Sequence, residues 1–149
     1  MLTLSIPGEP IAKGRPKASL WAGRIHMRTP EKTATWEAGA SMLMRSAWAG
    51  RPPLAEPVVV EVQALAGRPK TLLPKALGGS APASRPPPAD RCWRETKPDG
   101  DNVLKAVADA LVKAGVLRDD VHVVRWVVES RYAALGEGPA VEVVVRTPA

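Results

Sequence analysis

Asp99 and Asp101 stand two residues apart, and Lys105 follows four residues after the second. Side chains two apart in an extended segment point the same way, so both carboxylates can face one site. Pro98 and Gly100 interrupt regular structure, which puts the acids where a loop turns into a helix. This spacing predicts Asp101 or Asn102 as the helix N-cap. Lys105 then lies one turn above Asp101 on the same face. Two carboxylates, an ammonium group and a helix N-terminus in one place suit a divalent cation and a phosphate together. The plainer reading is that Asp and Asn are ordinary caps and Asp-Gly an ordinary turn. Asp119-Asp120, beyond Gly115, shifts the balance. A helix packed back on its following strand can return Asp120 to the Asp99/Asp101 end, if the connection is arranged for it.

The elements that must position these groups are readable in outline. Leu2, Leu4 and Ile6 alternate with polar residues, the pattern of a half-buried strand. Pro7 to Ser19 reads as a loop carrying Lys13, Arg15 and Lys17, either solvated or binding. Trp21 to Arg28 reads as a hairpin arm with Arg24, His26 and Arg28 on one face, opposite Ile25 and Met27. Thr29 caps a helix with Pro30 in its first position, running to about Ala49. Trp36, Ala40, Leu43, Met44 and Ala47 form its expected buried stripe. Val58 to Ala66 is expected as an inner strand. Arg68 to Thr96, rich in Pro, Ala and Arg, is a long connection, either functional or mobile. Arg85, Arg91, Arg94 and Lys97 are its candidate phosphate contacts.

A second helix spans Asn102 to Ala114. Val103, Val107, Ala110, Leu111 and Ala114 form its buried side, and Lys105, Asp109 and Lys113 its polar stripe. Lys105 paired with Asp109 is the structural alternative to a phosphate role, worth only a few tenths of a kcal/mol. Strands at Val121 to Tyr132 and Ala140 to Arg146 close the domain, expected as a hairpin through Leu135 to Gly138. His122 is expected on the same face as Asp120 and is left out of the site.

A length of 149 residues suits one domain with its own core. A net charge of +6 favours an anionic partner, nucleic acid first. The single cysteine, Cys92, excludes an internal disulfide and fits a reducing compartment. No Cys or His pair has zinc-ligand spacing. No charged-then-apolar leader or membrane-length apolar run is present, so a cytoplasmic protein without membrane contact is expected.

The run KPDGDNVLKAVADALVKAGVLRDDVHVV, Lys97 to Val124, resembles the RusA family of Holliday junction resolvases. That family reads as Asp-x-Asp-Asn, a lysine four after the second Asp, then Asp-Ala-Leu, a Gly and an Asp-Asp. Ile6 to Pro10, Lys13 to Lys17 and Thr29-Pro30 resemble the family's N-terminal part. Arg68 to Thr96 aligns with nothing.

The resemblance implies one α+β domain over 1–149, with a mixed β-sheet and two main helices. It implies a homodimeric endonuclease that resolves four-way DNA junctions with Mg²⁺, Mn²⁺ being a substitute. Asp99, Asp101 and Asp120 would hold the metal, and Lys105 would meet the phosphate charge. The family alignment favours Asp120, with Asp119 second. Lys13, Arg15, Lys17, Arg24, Arg28 and Lys97 are the expected DNA contacts. Two other classes compete: a basic junction-binding protein without catalysis, and a metal-dependent nuclease for flaps or other branched DNA. The Ala140 to Arg146 strand, expected at an edge, and the Thr29 to Ala49 helix are the candidate dimer surfaces.

Overall fold

The computed structural model describes residues 1–149. Its centre is β4 (Val58–Ala66), a nine-residue strand buried along most of both faces. A strand covered on both sides reads as a near-continuous apolar run, as this one does. β4 pairs parallel with β6 (Val123–Tyr132) and antiparallel with β7 (Ala140–Arg146). β1 (Leu2–Pro7) adds to the far side of β7, and the two-residue β5 (Cys92–Trp93) to the far side of β6. The sheet order is β1-β7-β4-β6-β5, a mixed sheet. Helices α1 (Glu31–Trp48) and α2 (Gly100–Lys113) pack with it around one core containing Met44, Val62, Val107, Leu111 and Val143. This is the expected α+β architecture. A separate hairpin, β2 (Lys17–Trp21) with β3 (Arg24–Arg28), pairs only within itself.

Three expectations about elements change. β6 and β7 do not form a hairpin, because β4 lies between them. Seven residues link the two strands, and the link crosses the end of β4. Stepping over one strand requires a span of about 10 Å, longer than a tight turn provides. It follows that β7 is an inner strand and β1 an edge.

In α1 the buried residues are Thr33, Glu37, Ala40, Ser41, Met44 and Trp48. Leu43 and Ala47, expected inside, are exposed, and Trp36 is half-buried. The true stripe contains a threonine, a glutamate and a serine, so apolar periodicity points to the wrong face. The helix begins at Glu31, with Pro30 at its N-cap and no side-chain cap bond from Thr29.

The 68–96 segment is tied down by arginines rather than by an apolar core. Arg68 donates to the carbonyls of Ala133 (2.7 Å), Pro88 (2.6 Å) and Asp90 (2.5 Å). Arg91 reaches Gln63 of β4 at 2.8 Å, Glu142 of β7 at 2.7 Å and Glu137 of the β6–β7 link at 2.5 Å. Arg94 is 5% exposed and donates to the carbonyls of Thr96 and Pro98. Arg91 and Arg94 are thus committed to the fold and are not free phosphate contacts.

Arg91 holds the Glu137 carboxyl below the ordinary carboxylate range, with help from the Ala134 amide. Glu142 and Glu137 in turn push the Arg91 guanidinium up, so it stays charged. A depressed carboxylate contributes stability that is present above its unfolded pKa and lost as pH falls through the folded value. The Glu137 contribution is therefore complete above about pH 4.5, the ordinary value, and fades below it. Thermal melts should show Glu137→Gln less stable than the parent at pH 7, with the gap closing toward pH 3. An equal gap at both pH values would contradict the pairing.

Candidate active-site cleft

Local packing brings the start of α2 against the sheet. Asp99 is the N-cap residue, with extended backbone, and its carbonyl accepts from the amides of Asn102 (3.1 Å) and Val103 (3.2 Å). The helix starts at Gly100, ahead of the expected cap at Asp101 or Asn102. A Cβ at Gly100 would lie 3.1 Å from a methyl of Val128 on β6. Glycine lets the first turn approach the strand that closely, and Asp101 is left exposed in that turn. No side-chain cap bond forms at this end.

At the other end, Gly115 takes φ +75° and turns the chain out of α2. Leu54 then pins the returning segment, donating to the Val116 carbonyl and accepting from the Arg118 amide, both at 2.9 Å. Asp119 and Asp120 follow immediately. Asp120–His122 forms a short 3-10 turn, so His122 does not alternate with Asp120 along a strand as expected. The Asp119 carboxylate caps this turn by accepting from the Val121 amide at 3.0 Å. That amide bond, first among its causes, holds Asp119 below the ordinary carboxylate range.

Along the outer side of α2 runs a cleft of about 470 Å³. Its polar lining is Lys13, Asp101, Lys105, Asp109 and Asp120, over a floor of Leu104, Ala108 and Trp126. A second recess of about 320 Å³ adjoins it, sharing Asp109 and Asp120 and adding Asp119 and Lys113. Asp120 thus lines both hollows, and Asp119 only the second. Asp99 lines neither.

The charges pair differently from expectation. Lys105 lies 3.6 Å from Asp101 rather than pairing with Asp109. Asp109 instead binds Lys13, whose ammonium also lies 3.4 Å from Glu37. Lys13 therefore sits among α1, α2 and its own loop, and its amide donates to the Asn102 carbonyl at 3.0 Å. Asp120 forms no ion pair.

Of the other expected DNA contacts, Arg15 and Lys97 are exposed on loops, and Lys17, Arg24 and Arg28 are exposed on the β2–β3 hairpin. Sequence reasoning missed Glu37 and Trp126 altogether. Glu37 gave no signal, being one more acid on a helix that looked polar on that side. Trp126 lies in a strand where any large apolar residue reads as core.

No three His, Cys, Asp or Glu side chains converge into a ready metal cage. The lining suits a different mode of binding. Mg²⁺ keeps several waters and is held through one or two carboxylates together with substrate phosphate. Asp101 and Asp120, oxygen donors open to solvent beside a lysine, fit that mode in chemistry.

Residues 7–146 match the family described as Endodeoxyribonuclease RusA. The chain belongs to the RusA endodeoxyribonuclease family. The match runs through residues 68–96, where motifs alone gave no alignment. Over 145 residues the chain is 32% identical to Uncharacterized protein YqaN of Bacillus subtilis (strain 168), covering 97% of this chain and 95% of that one. Membership of the RusA family assigns the chain to junction-resolving endonucleases that act on DNA. No helix is long and apolar enough to cross a membrane.

The pairing of Lys13 separates it from its basic neighbours in a measurable way. Lys13→Met should lower stability by about 1–3 kcal/mol, because Glu37 and Asp109 lose a charged partner where little water reaches Glu37. Arg15→Ala and Lys17→Ala, which remove no contact, should stay within about 0.5 kcal/mol of the parent. Urea titrations of the three variants measure this; equal stabilities would contradict the account of Lys13.

Proposed function

We propose that this RusA-family chain is a Mg²⁺-dependent endonuclease that resolves four-way DNA junctions by paired, symmetric phosphodiester cuts. The observation that carries the reading is the open cleft lined by Asp101, Asp120 and two lysines in a chain of this family. Asp101 and Asp120 are the residues that would hold the metal. Asp99, exposed at the N-cap one residue from the first turn of α2, is proposed as the third donor. Asp120 is preferred to Asp119, whose Oδ1 accepts from the Val121 amide and which lies outside the main cleft. The bound ion would supply a water of lowered pKa and neutralise charge on the scissile phosphate.

The chain's own groups do the rest. Lys105 is mostly exposed beside Asp101 and is free to turn to a phosphate oxygen as negative charge grows on it. Lys13 offsets Asp109 and Glu37, which would otherwise repel a phosphodiester entering the cleft. Leu104, Ala108 and Trp126 give the floor an apolar surface that limits water under the bound strand. Arg15, Lys17, Arg24, Arg28 and Lys97 hold the backbone outside the cleft. A cytoplasmic location, with access to DNA, goes with this reading.

The decisive assay is incubation with an immobile four-way junction, a linear duplex and a flap, with and without Mg²⁺. Only the junction with Mg²⁺ should be cut. Asp99→Asn, Asp101→Asn and Asp120→Asn should each abolish cutting yet bind the junction as well or more tightly, since each removes charge that repels phosphate. Lys105→Ala should keep the fold and most affinity but slow single-turnover cleavage by about 10²–10³-fold. An Asp101→Asn protein that cuts at the parent rate would defeat the metal assignment.

Paired cuts call for two clefts, which a C₂ dimer supplies. The α1–β1 side is the proposed contact. β1 is an edge strand, Met42 on α1 is 70% exposed, and Trp36 buries an indole N–H with no partner. A groove of about 450 Å³ between Ile6, Trp36 and Leu43 joins these features. In sedimentation at micromolar concentration the parent should be a dimer, and Met42→Glu with Leu43→Glu a monomer that nicks cruciform plasmids singly. A monomeric parent would contradict paired cutting.

A further inference from the structure

The β2–β3 hairpin is exposed along all ten of its residues and pairs with no other strand. Its register sorts the side chains into two faces. Lys17 with Arg28, Ser19 with His26, and Trp21 with Arg24 share one face. Ala18 with Met27, and Leu20 with Ile25, share the other. The first face thus carries Lys17 and Arg28 at its base, and Arg24 beside a tryptophan at its tip.

Trp21 is 74% exposed. Its one aromatic neighbour is His26, in a T-shaped contact at 6.1 Å between ring centres and 66° between planes, and the indole remains mostly open to solvent. The turn beyond it, Ala22-Gly23, has positive φ at both residues (51° and 72°). Such a two-residue turn matches the twist of the strands and makes a tight arm rather than a loose loop.

The arm is rooted at the cleft. The Gly14 amide donates to the Thr33 hydroxyl at 3.1 Å, and that hydroxyl lies 3.3 Å from the Ala12 carbonyl. Lys13, between them, lines the cleft itself. Five residues of strand extend about 16 Å at roughly 3.3 Å each. That is about five phosphate steps along one DNA strand.

We propose that Trp21 is a stacking wedge, carried on a cationic arm, that recognises an unstacked base at the branch point of DNA. The inference rests on the branched-DNA reading above and adds the residue that selects branched over linear DNA. Bases inside a duplex are stacked on one another and offer no free face. A branch point opens base faces, and an indole accepts any base because every base has a π-face. Lys17, Arg24 and Arg28 give the same side of the arm the charge that phosphates require. A second copy of this chain is a poor occupant of this face, since like cations would meet.

The test uses the full-length protein without divalent metal, so that binding is read without cleavage. Parent, Trp21→Ala and Trp21→Phe are titrated against a four-way junction carrying 2-aminopurine at the branch, and against a linear duplex of the same sequence. The parent should quench the 2-aminopurine, and Trp21→Phe should retain much of that. Trp21→Ala should lose the quench and about 5- to 100-fold in junction affinity, with duplex affinity unchanged. Equal loss on both DNAs, or no loss on either, overturns the wedge. So does a Trp21→Ala protein that sediments as a monomer where the parent is a dimer, since the arm would then contact a second copy. A parent with no preference for the junction overturns the branched-DNA reading as well. A parent that prefers it, with Trp21→Ala unchanged, overturns the wedge alone.

Discussion

Lys13 joins three pieces of chain that share no local sequence. Its ammonium binds Asp109 of α2 and lies near Glu37 of α1, and its amide is held by Asn102 at the start of α2. Asp109 lines the cleft, and Glu37 is buried in the packing between helices, so each needs a nearby cation. Without that cation the cleft would carry uncompensated negative charge along its length and would repel a phosphodiester. The same residue fixes the start of the β2–β3 arm relative to the cleft. One ion-paired lysine therefore links the two helices, offsets acid charge at the cleft and ties the base of the arm to both.

The protein divides its basic residues by task. Arg68, Arg91 and Arg94 spend their donors on carbonyls and carboxylates and hold residues 68–96 on the sheet. Planar guanidinium groups suit such multi-point anchoring. Other cations are left open, among them Arg15 in the loop after β1, Lys17, Arg24 and Arg28 on the arm, and Lys97 before α2.

Much of the fold was legible because apolar periodicity marks it. The buried side of α2, from Val103 to Ala114, and the inner strand Val58–Ala66 stand in the sequence as they stand in the structure. Periodicity failed in α1, where Thr33, Glu37 and Ser41 are buried through polar contacts and Leu43 is left outside. It also failed for the strand order, since alternation says which face is inside but not which strand lies next. β4 between β6 and β7 is a long-range pairing with no local mark. Asp101, Lys105 and Asp120, singled out by type and spacing, line one cleft. The partners of Lys13 were not singled out, because residues 13, 37 and 109 meet only through the tertiary fold. Asp99, two residues before Asp101, stands at the N-cap of α2 and lines neither hollow.

The central claim is that Asp101 and Asp120 form one site for a metal and a phosphate. A crystal of the protein with branched DNA, soaked in Mn²⁺ and measured for anomalous scattering, tests it most directly. The account predicts a manganese peak in the cleft, within coordination distance of the Asp101 and Asp120 carboxylates and of a backbone phosphate. A peak on Asp119 in the neighbouring recess, or on the Glu137 and Glu142 side of the sheet with the cleft vacant, would contradict it.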